Sequence, residues 1–198
     1  MRYLSFIALL FLTWTALAAQ TPPGQTRLDG GKILRGAFIQ EFQTSKTGSP
    51  LVSSGQFTVA PGHGLIWKIE KPFPTSTIIT PEAAIQNVGG LSMKLPVKNL
   101  RSLYDMVGGA LAGDRSALEK EFILMPGGKD SQWQMLLTPR QPGKAKLPYS
   151  SITVSGSTFV EKILMTKANG AQDTLSFTET TLSSAPLSAS ETSAFNKR

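Results

Sequence analysis

The chain has 198 residues, a formal net charge of +7, no cysteine and a single histidine. Disulfides and thiolate metal sites are therefore excluded, and a transition-metal site would depend on 13 scattered carboxylates, so we expect no metal. Because no basic run is longer than two residues, we expect no nucleic-acid partner; the charge either favours transient contact with anionic membranes or acidic membrane proteins, or serves solubility alone.

The N-terminal residues have the pattern of a secretory signal peptide. Arg2 supplies a positive charge, residues 3–12 form an apolar run, and residues 16–18 fit the small-x-small cleavage pattern. Polar residues interrupt the run before it reaches the ~20 apolar residues of a membrane span. We expect cleavage of residues 1–18, after Ala18, which leaves a freely diffusing periplasmic chain. Its 19 basic and 13 acidic residues give a net charge of +6.

Residues 35–180 consist mainly of short alternating segments separated by Gly, Pro and Asn-Gly, which is typical of an antiparallel sheet or barrel. The first segment, residues 33–44, fits helical spacing and alternation equally well. The turn signal at Thr47-Gly48 and the run that follows from Leu51 favour a hairpin, and hence a strand. Alternation also predicts half-buried strands at residues 54–59, 65–70 and 132–137.

A helix interrupts the strands. Apolar residues recur at intervals of three and four, which predicts a helix whose apolar stripe packs on the sheet. The stripe consists of Val97, Leu100, Tyr104, Val107 and Leu111. Gly108 and Gly109 each cost roughly 1 kcal/mol relative to Ala inside a helix. They would either let the helix bend or allow close packing.

The C-terminal third contains a predicted hairpin, formed by residues 159–166 and 173–180. Asn169-Gly170 between them is a strong turn signal, because both residue types tolerate positive φ. Ile163 and Leu164 place apolar groups on both faces of the first strand. One face would pack a core, while the other would line a cavity or lie in a sandwich without a cavity.

Residues 183–198 are rich in Ser and Ala and are predicted to form a separate tail. Within this tail, Ser188 and Glu191 have the spacing of a capping box, which predicts a short helix ending near Phe195. Without residues 1–18, the remaining 180 residues (198 minus 18) are enough for one domain with a substantial core. We therefore expect a single domain over residues 19–182.

The sequence offers little for catalysis. It contains no Gly-x-Ser-x-Gly elbow and no phosphate-binding loop ending in Gly-Lys-Ser/Thr. A hydrolytic triad would have to use His63, which stands in a turn-like Pro-Gly-His-Gly segment with nothing to direct a serine towards it. We therefore predict that the protein is not an enzyme and uses no cofactor, with a hydrolase centred on His63 as the catalytic alternative.

An ordered series of segments resembles the outer-membrane lipoprotein carrier family LolA. In the N-terminal half the similar segments are residues 37–40 (Ala-Phe-Ile-Gln), 54–57 (Ser-Gly-Gln-Phe), 61–67, 71–73 and 78–80. In the C-terminal half they are residues 136–140 (Leu-Leu-Thr-Pro-Arg), 152–154 and 173–177. The resemblance spans residues 28–180, and it lies in the order of these segments, since none of them is specific alone.

The resemblance implies a mainly β fold with a few helices, an unclosed antiparallel β-barrel whose helices cover a hydrophobic cavity. Residues 35–44 would form its first strand, and the predicted helix would belong to the lid. The lid residues are then Leu100, Tyr104, Val107 and Leu111. With the alternation pattern, the lipid-binding cavity is predicted to be lined by Phe38, Phe57, Trp67, Ile69, Ile79, Ile152, Val154, Ile163 and Phe177.

The resemblance also implies a function. Such a monomeric carrier would receive the acyl chains of lipoproteins from an inner-membrane ABC transporter and pass them to the outer-membrane acceptor LolB. The alternatives are a carrier of another lipid, such as an acylated pigment or glycolipid precursor, and a regulatory module that senses lipids and binds a membrane protein.

The sequence departs from the family pattern in two places. Family members have an arginine that holds the lid through hydrogen bonds to backbone carbonyls, but Ala60 and Pro61 occupy the nearest positions here. The family's closing Pro-Pro-x-Gly segment has no counterpart after Ser183.

Overall fold

The computed structural model describes residues 27–43, 45, 48–95, 98–129, 131–141 and 147–197. The predicted signal peptide, Thr47 and Val97 lie outside the described residues. The strands are β1 (Ile33–Phe42), β2 (Leu51–Ala60), β3 (Gly64–Lys71), β4 (Thr75–Ile79), β5 (Ala84–Val88), β6 (Leu91–Lys94), β7 (Phe122–Lys129), β8 (Gln132–Pro139), β9 (Tyr149–Gly156), β10 (Val160–Lys167) and β11 (Gln172–Ser183). The helices are α1 (Lys98–Ala112), α2 (Arg115–Glu119) and α3 (Ala189–Phe195).

The described strands form one antiparallel sheet of eleven strands in the order β6-β5-β4-β3-β2-β1-β11-β10-β9-β8-β7. Two meanders, β1 to β6 and β7 to β11, are joined where β1 pairs with β11, so that Ile33 lies opposite Ser183. Strands β6 and β7 are the two edges, and the sheet does not close into a barrel. The predicted fold class, an unclosed antiparallel sheet with a few helices, is confirmed.

Most predicted elements are present, with some corrections to their bounds. The first strand covers Ile33–Phe42 instead of residues 35–44. The C-terminal hairpin is confirmed, with Gly170 at φ +81° in its turn and the side chain of Asn169 accepting from the backbone N–H of Ala171. Alternation did not predict the edge strands: all of β6 is exposed, and β7 contains Pro126 and two glycines. Helix α2 was also missed.

Helix α1 lies against one face of the sheet, which we call the inner face. Val107 and Leu111 of this helix belong to the same buried apolar cluster as Leu34 and Trp67 of the sheet. The helix continues through both glycines. A β-carbon would be in ordinary van der Waals contact at either position, 3.4 Å from the Leu118 side chain at Gly109 and 4.0 Å from Leu65 at Gly108, so close packing does not require the glycine pair.

The C-terminal tail packs on the opposite, outer face of the sheet. The capping box is confirmed: Ser188 Oγ accepts from the Glu191 N–H at 3.2 Å, and Glu191 Oε2 accepts from the Ser188 N–H at 2.8 Å. Phe195 is buried in a second apolar cluster with Ile33, Ala60 and Ile78. Helix α3 is thus attached to the sheet.

One ion pair connects α3 to the sheet. Arg35 donates from Nε and Nη2 to the two carboxylate oxygens of Glu191, at 2.8 and 2.7 Å, and Thr58 Oγ1 donates to the same carboxylate at 3.0 Å. These bonds, those from Arg35 foremost, lower the pKa of Glu191 from 4.5 to about 2. A carboxylate with a lowered pKa stabilises the folded state fully above its ordinary pKa, and the contribution is lost as pH falls through about 2.

We therefore expect Glu191→Gln to lower the free energy of unfolding by about 1 kcal/mol at pH 7, which lowers Tm by about 2–4 °C. The difference in Tm from the wild type should shrink between pH 4.5 and about 2, because Glu191 becomes protonated there. Thermal unfolding, followed by circular dichroism at several pH values in this range, measures the difference in Tm. Glu41→Gln on β1, where the side chain is exposed, is the control and should show no such pH-dependent difference. A constant difference at every pH would contradict the role of the ion pair.

Candidate binding site beneath helix α1

The nine residues predicted to line a cavity lie together on the inner face. Eight are buried and Ile69 is partly buried, and all belong to or pack against one apolar cluster that includes α1. The residues concerned are Phe38, Phe57, Trp67, Ile69, Ile79, Ile152, Val154, Ile163 and Phe177. Their role in binding lipid stays a prediction.

Aromatic rings form the centre of this face. The strand register brings them together, since Phe57 lies opposite Trp67 and Phe38 lies opposite Phe177. The Trp67 ring stacks on Phe38, with ring centroids 3.8 Å apart, and meets Phe177 edge-on at 6.2 Å. Trp67 is therefore held by ring contacts with residues of β1 and β11, two and three strands away in the sheet.

Helix α1 covers these rings. Tyr104 approaches Trp67 to 6.0 Å between ring centroids, and Val107 and Leu111 are buried in the same cluster. Burial raises the pKa of Tyr104 above 10.0, against the opposing effect of its hydrogen bond with Thr77. Three of the four predicted lid residues thus lie over the inner face, and the side chain of Leu100 lies outside the described residues.

The described residues of the helix and the inner face form a small cavity between them. Its volume is about 50 Å³. Its lining consists of Gln40, Phe42, Trp67, Leu103, Tyr104, Val107, Met165 and Leu175. Such a space is far smaller than the 300–1,000 Å³ typical of ligand pockets. This cavity is therefore too small for a long acyl chain while α1 lies in this position.

A larger cleft of about 460 Å³ opens along the other side of α1. Leu65, Ile79 and the glycine pair of α1 contribute apolar surface to it, and Asp105 and Lys120 are among its polar residues. Gly108 lies at the contact between helix and sheet, since a β-carbon built on it would be 4.0 Å from Leu65. The cleft therefore borders this contact. Its volume lies within the range of small-molecule pockets.

A single arginine ties α1 to the sheet at the edge of this cleft. Arg101 Nη2 donates to the backbone carbonyls of Thr80, at 2.9 Å, and Pro81, at 3.1 Å. Its Nε also lies 3.4 Å from Asp105 Oδ2, one helical turn further along. Sequence reasoning missed this contact because the arginine lies off the apolar stripe and because its acceptors are backbone atoms, which leave no side-chain signal.

His63 stands in the turn between β2 and β3, with its ring 5.7 Å from Phe195 of the tail helix. Within the described ranges, no three His, Asp or Glu side chains are close enough to hold a metal ion. The described helices include none that is long and apolar enough to cross a bilayer.

Comparison with known proteins identifies similar chains. Residues 26–176 match the family model described as outer membrane lipoprotein carrier protein LolA-like. Among solved structures, a LolA superfamily protein from Nitrosomonas europaea has a TM-score of 0.47 and 11% identity, covering 81% of this chain and 90% of that protein. A putative outer membrane lipoprotein-sorting protein domain from Vibrio parahaemolyticus has a TM-score of 0.44 and 8% identity, covering 85% and 91%. No curated protein sequence is significantly similar to this chain.

Proposed function

Since the chain belongs to the outer membrane lipoprotein carrier protein LolA-like family, we propose that it binds the acyl chains of a lipoprotein or a related lipid and carries them across the periplasm. The observation that supports this most is the continuous apolar inner face, which α1 covers with Val107 and Leu111, together with Leu118 of α2. A site of this kind binds by excluding water from hydrocarbon and needs no reactive group.

The energetics of acyl chains explain why a carrier is needed. Each methylene kept from water contributes about 0.8 kcal/mol, so a sixteen-carbon chain exposed to water costs on the order of 12 kcal/mol. A binding site that stayed open would expose its own rings in the same way. When α1 covers the inner face, Val107 and Leu111 take the place of the ligand, and release is favoured because the helix competes for the same surface.

We propose further that the protein catalyses no reaction and works as a monomer between two membrane partners. An inner-membrane transporter would load it and an outer-membrane acceptor would unload it, as for carriers of this family. The net positive charge of the chain favours brief contact with anionic lipid at both membranes.

The proposal is tested by identifying what the protein holds. The protein recovered from a periplasmic extract should carry an acylated lipoprotein or acyl lipid, detected by native mass spectrometry and by chromatography of extracted lipids. Ile163→Asp on the inner face should lose this ligand, because a buried carboxylate excludes hydrocarbon. Lys162→Asp, the exposed neighbour on the same strand, should keep it.

Circular dichroism shows which variants are folded. An unloaded wild-type protein that also fails to take up acyl lipid from vesicles would argue against the carrier function. The chemical class of the ligand separates a lipoprotein from an acylated pigment or a glycolipid precursor.

A further inference from the structure

Trp67 carries a buried polar group without a partner. Its side chain is 1% exposed, and no described residue accepts a hydrogen bond from its indole Nε1–H. No other buried side-chain nitrogen or oxygen in the described part of the chain lacks a partner. Native proteins pair nearly all such groups, because an unpaired buried donor is unfavourable.

The rings packed around Trp67 prevent its indole from turning towards a hydrogen-bond acceptor. Its ring is stacked on Phe38, meets Phe57 and Phe177, and lies beneath Tyr104. Rotating the indole towards an acceptor would break these ring contacts. The other buried tryptophan is different, since Trp133 Nε1 donates to the backbone carbonyl of Ser157. The unpaired donor is therefore specific to the ring that lies at the centre of the inner face.

Trp67 also lines the enclosed cavity of about 50 Å³ beneath α1. Most of the lining is apolar, and the described residues that form it carry no formal charge. Leu103, Tyr104 and Val107 form the wall that belongs to α1, so that movement of the helix away from the sheet would enlarge this space beside Trp67. The site therefore suits hydrocarbon that brings a neutral hydrogen-bond acceptor.

We propose that Trp67 is a ligand-binding residue whose indole N–H donates to the carbonyl oxygen of an acyl ester or acyl amide when α1 moves aside. This rests on the proposed carrier function and deepens it by naming the group that is recognised. An ester or amide oxygen accepts a hydrogen bond without bringing a charge into the apolar site, whereas a free carboxylate would be buried without a cation.

A pair of lipids that differ only at the carbonyl tests the proposal. Binding of an ester-linked dihexadecanoyl phospholipid is compared with that of its ether-linked dihexadecyl analogue, by competition against a fluorescent acyl probe. The wild type should bind the ester about tenfold more tightly, the ratio that one satisfied buried donor gives. Trp67→Phe keeps an aromatic ring and removes the donor, so it should bind both lipids equally. Trp133→Phe is the matched control and should keep the preference.

The outcomes separate this inference from the function on which it rests. A wild type that binds both lipids equally, or a Trp67→Phe variant that keeps the ester preference, overturns the role of Trp67 and leaves the carrier function standing. A wild type that binds neither lipid overturns the carrier function itself. If Trp67→Phe does not fold, nuclear magnetic resonance of wild-type protein with nitrogen-15-labelled tryptophan decides: the Trp67 indole N–H signal should shift downfield with the ester and not with the ether.

Discussion

A disulfide between positions 65 and 108 should weaken acyl-lipid binding by about 100-fold or more, and reduction of that disulfide should restore it. A β-carbon at position 108 would lie 4.0 Å from Cβ of Leu65, which is within the range of disulfide geometry. The Leu65→Cys, Gly108→Cys variant would thus hold α1 against β3 over the inner face. Since the chain has no cysteine of its own, no other disulfide can form within one molecule.

The measurement is the affinity for a fluorescent acyl lipid before and after a reducing agent is added. The reduced form of the same variant is the reference, because it shares the loss of the Leu65 side chain. The matched control is Gly109→Cys, Ala117→Cys, whose β-carbons would be 3.9 Å apart. That disulfide joins α1 to α2 and adds no covalent bond between either helix and the sheet, so oxidation should not prevent binding. If the oxidised 65–108 variant bound lipid as its reduced form does, ligand entry would not depend on lifting α1.

Removing the guanidinium of Arg101 should have the opposite effect and tighten apparent binding by about tenfold. Arg101 donates to the carbonyls of Thr80 and Pro81, and these bonds exist only while α1 lies on the sheet. Arg101→Met keeps a flexible, unbranched stem but loses both bonds, so a larger fraction of molecules has the helix displaced. Because apparent affinity scales with the fraction competent to bind, both the affinity and the rate of loading should rise.

Asp105→Asn is the control for Arg101→Met. It weakens the contact between the two side chains, which lie 3.4 Å apart, while both carbonyl bonds remain. Its affinity should stay close to that of the wild type. Equilibrium titration and stopped-flow mixing with a fluorescent acyl lipid give affinity and rate together. Unchanged or weaker binding by a folded Arg101→Met variant would show that these bonds do not hold the cover in place.

The inner face could be predicted from the sequence because strands have a period of two. Once Trp67 and Ile163 are assigned to strands, alternation decides which neighbours share a face, and burial of one face fixes that choice. The same rule holds for α1, where the intervals between Tyr104, Val107 and Leu111 determine the side that meets the sheet. Each of these patterns is formed by many side chains, so the prediction does not depend on any single residue.

The contacts that hold α1 on that face, and the unpaired donor beneath it, were not predictable in this way. The acceptors of Arg101 are backbone carbonyls some 20 residues away, and any residue type supplies a carbonyl. Whether the Trp67 indole N–H has a hydrogen-bond partner depends on which acceptors lie near it in the folded protein. The filling of the inner face by α1 is also a property of tertiary packing, and alternation describes only one strand at a time.

The pairing of β1 with β11 has a consequence for how the chain reaches its native state. Strands β1 to β6 and β7 to β11 can each pair with sequence neighbours, but the middle of the sheet joins Ile33 to Ser183. Pairing between residues so far apart in the sequence has a high entropic cost of loop closure and slows folding. Until β11 pairs with its neighbours, β1 and β10 each have an unpaired edge that another chain can join. Completion of the sheet therefore depends on the C-terminal strand, although the hairpins on either side of it can form earlier.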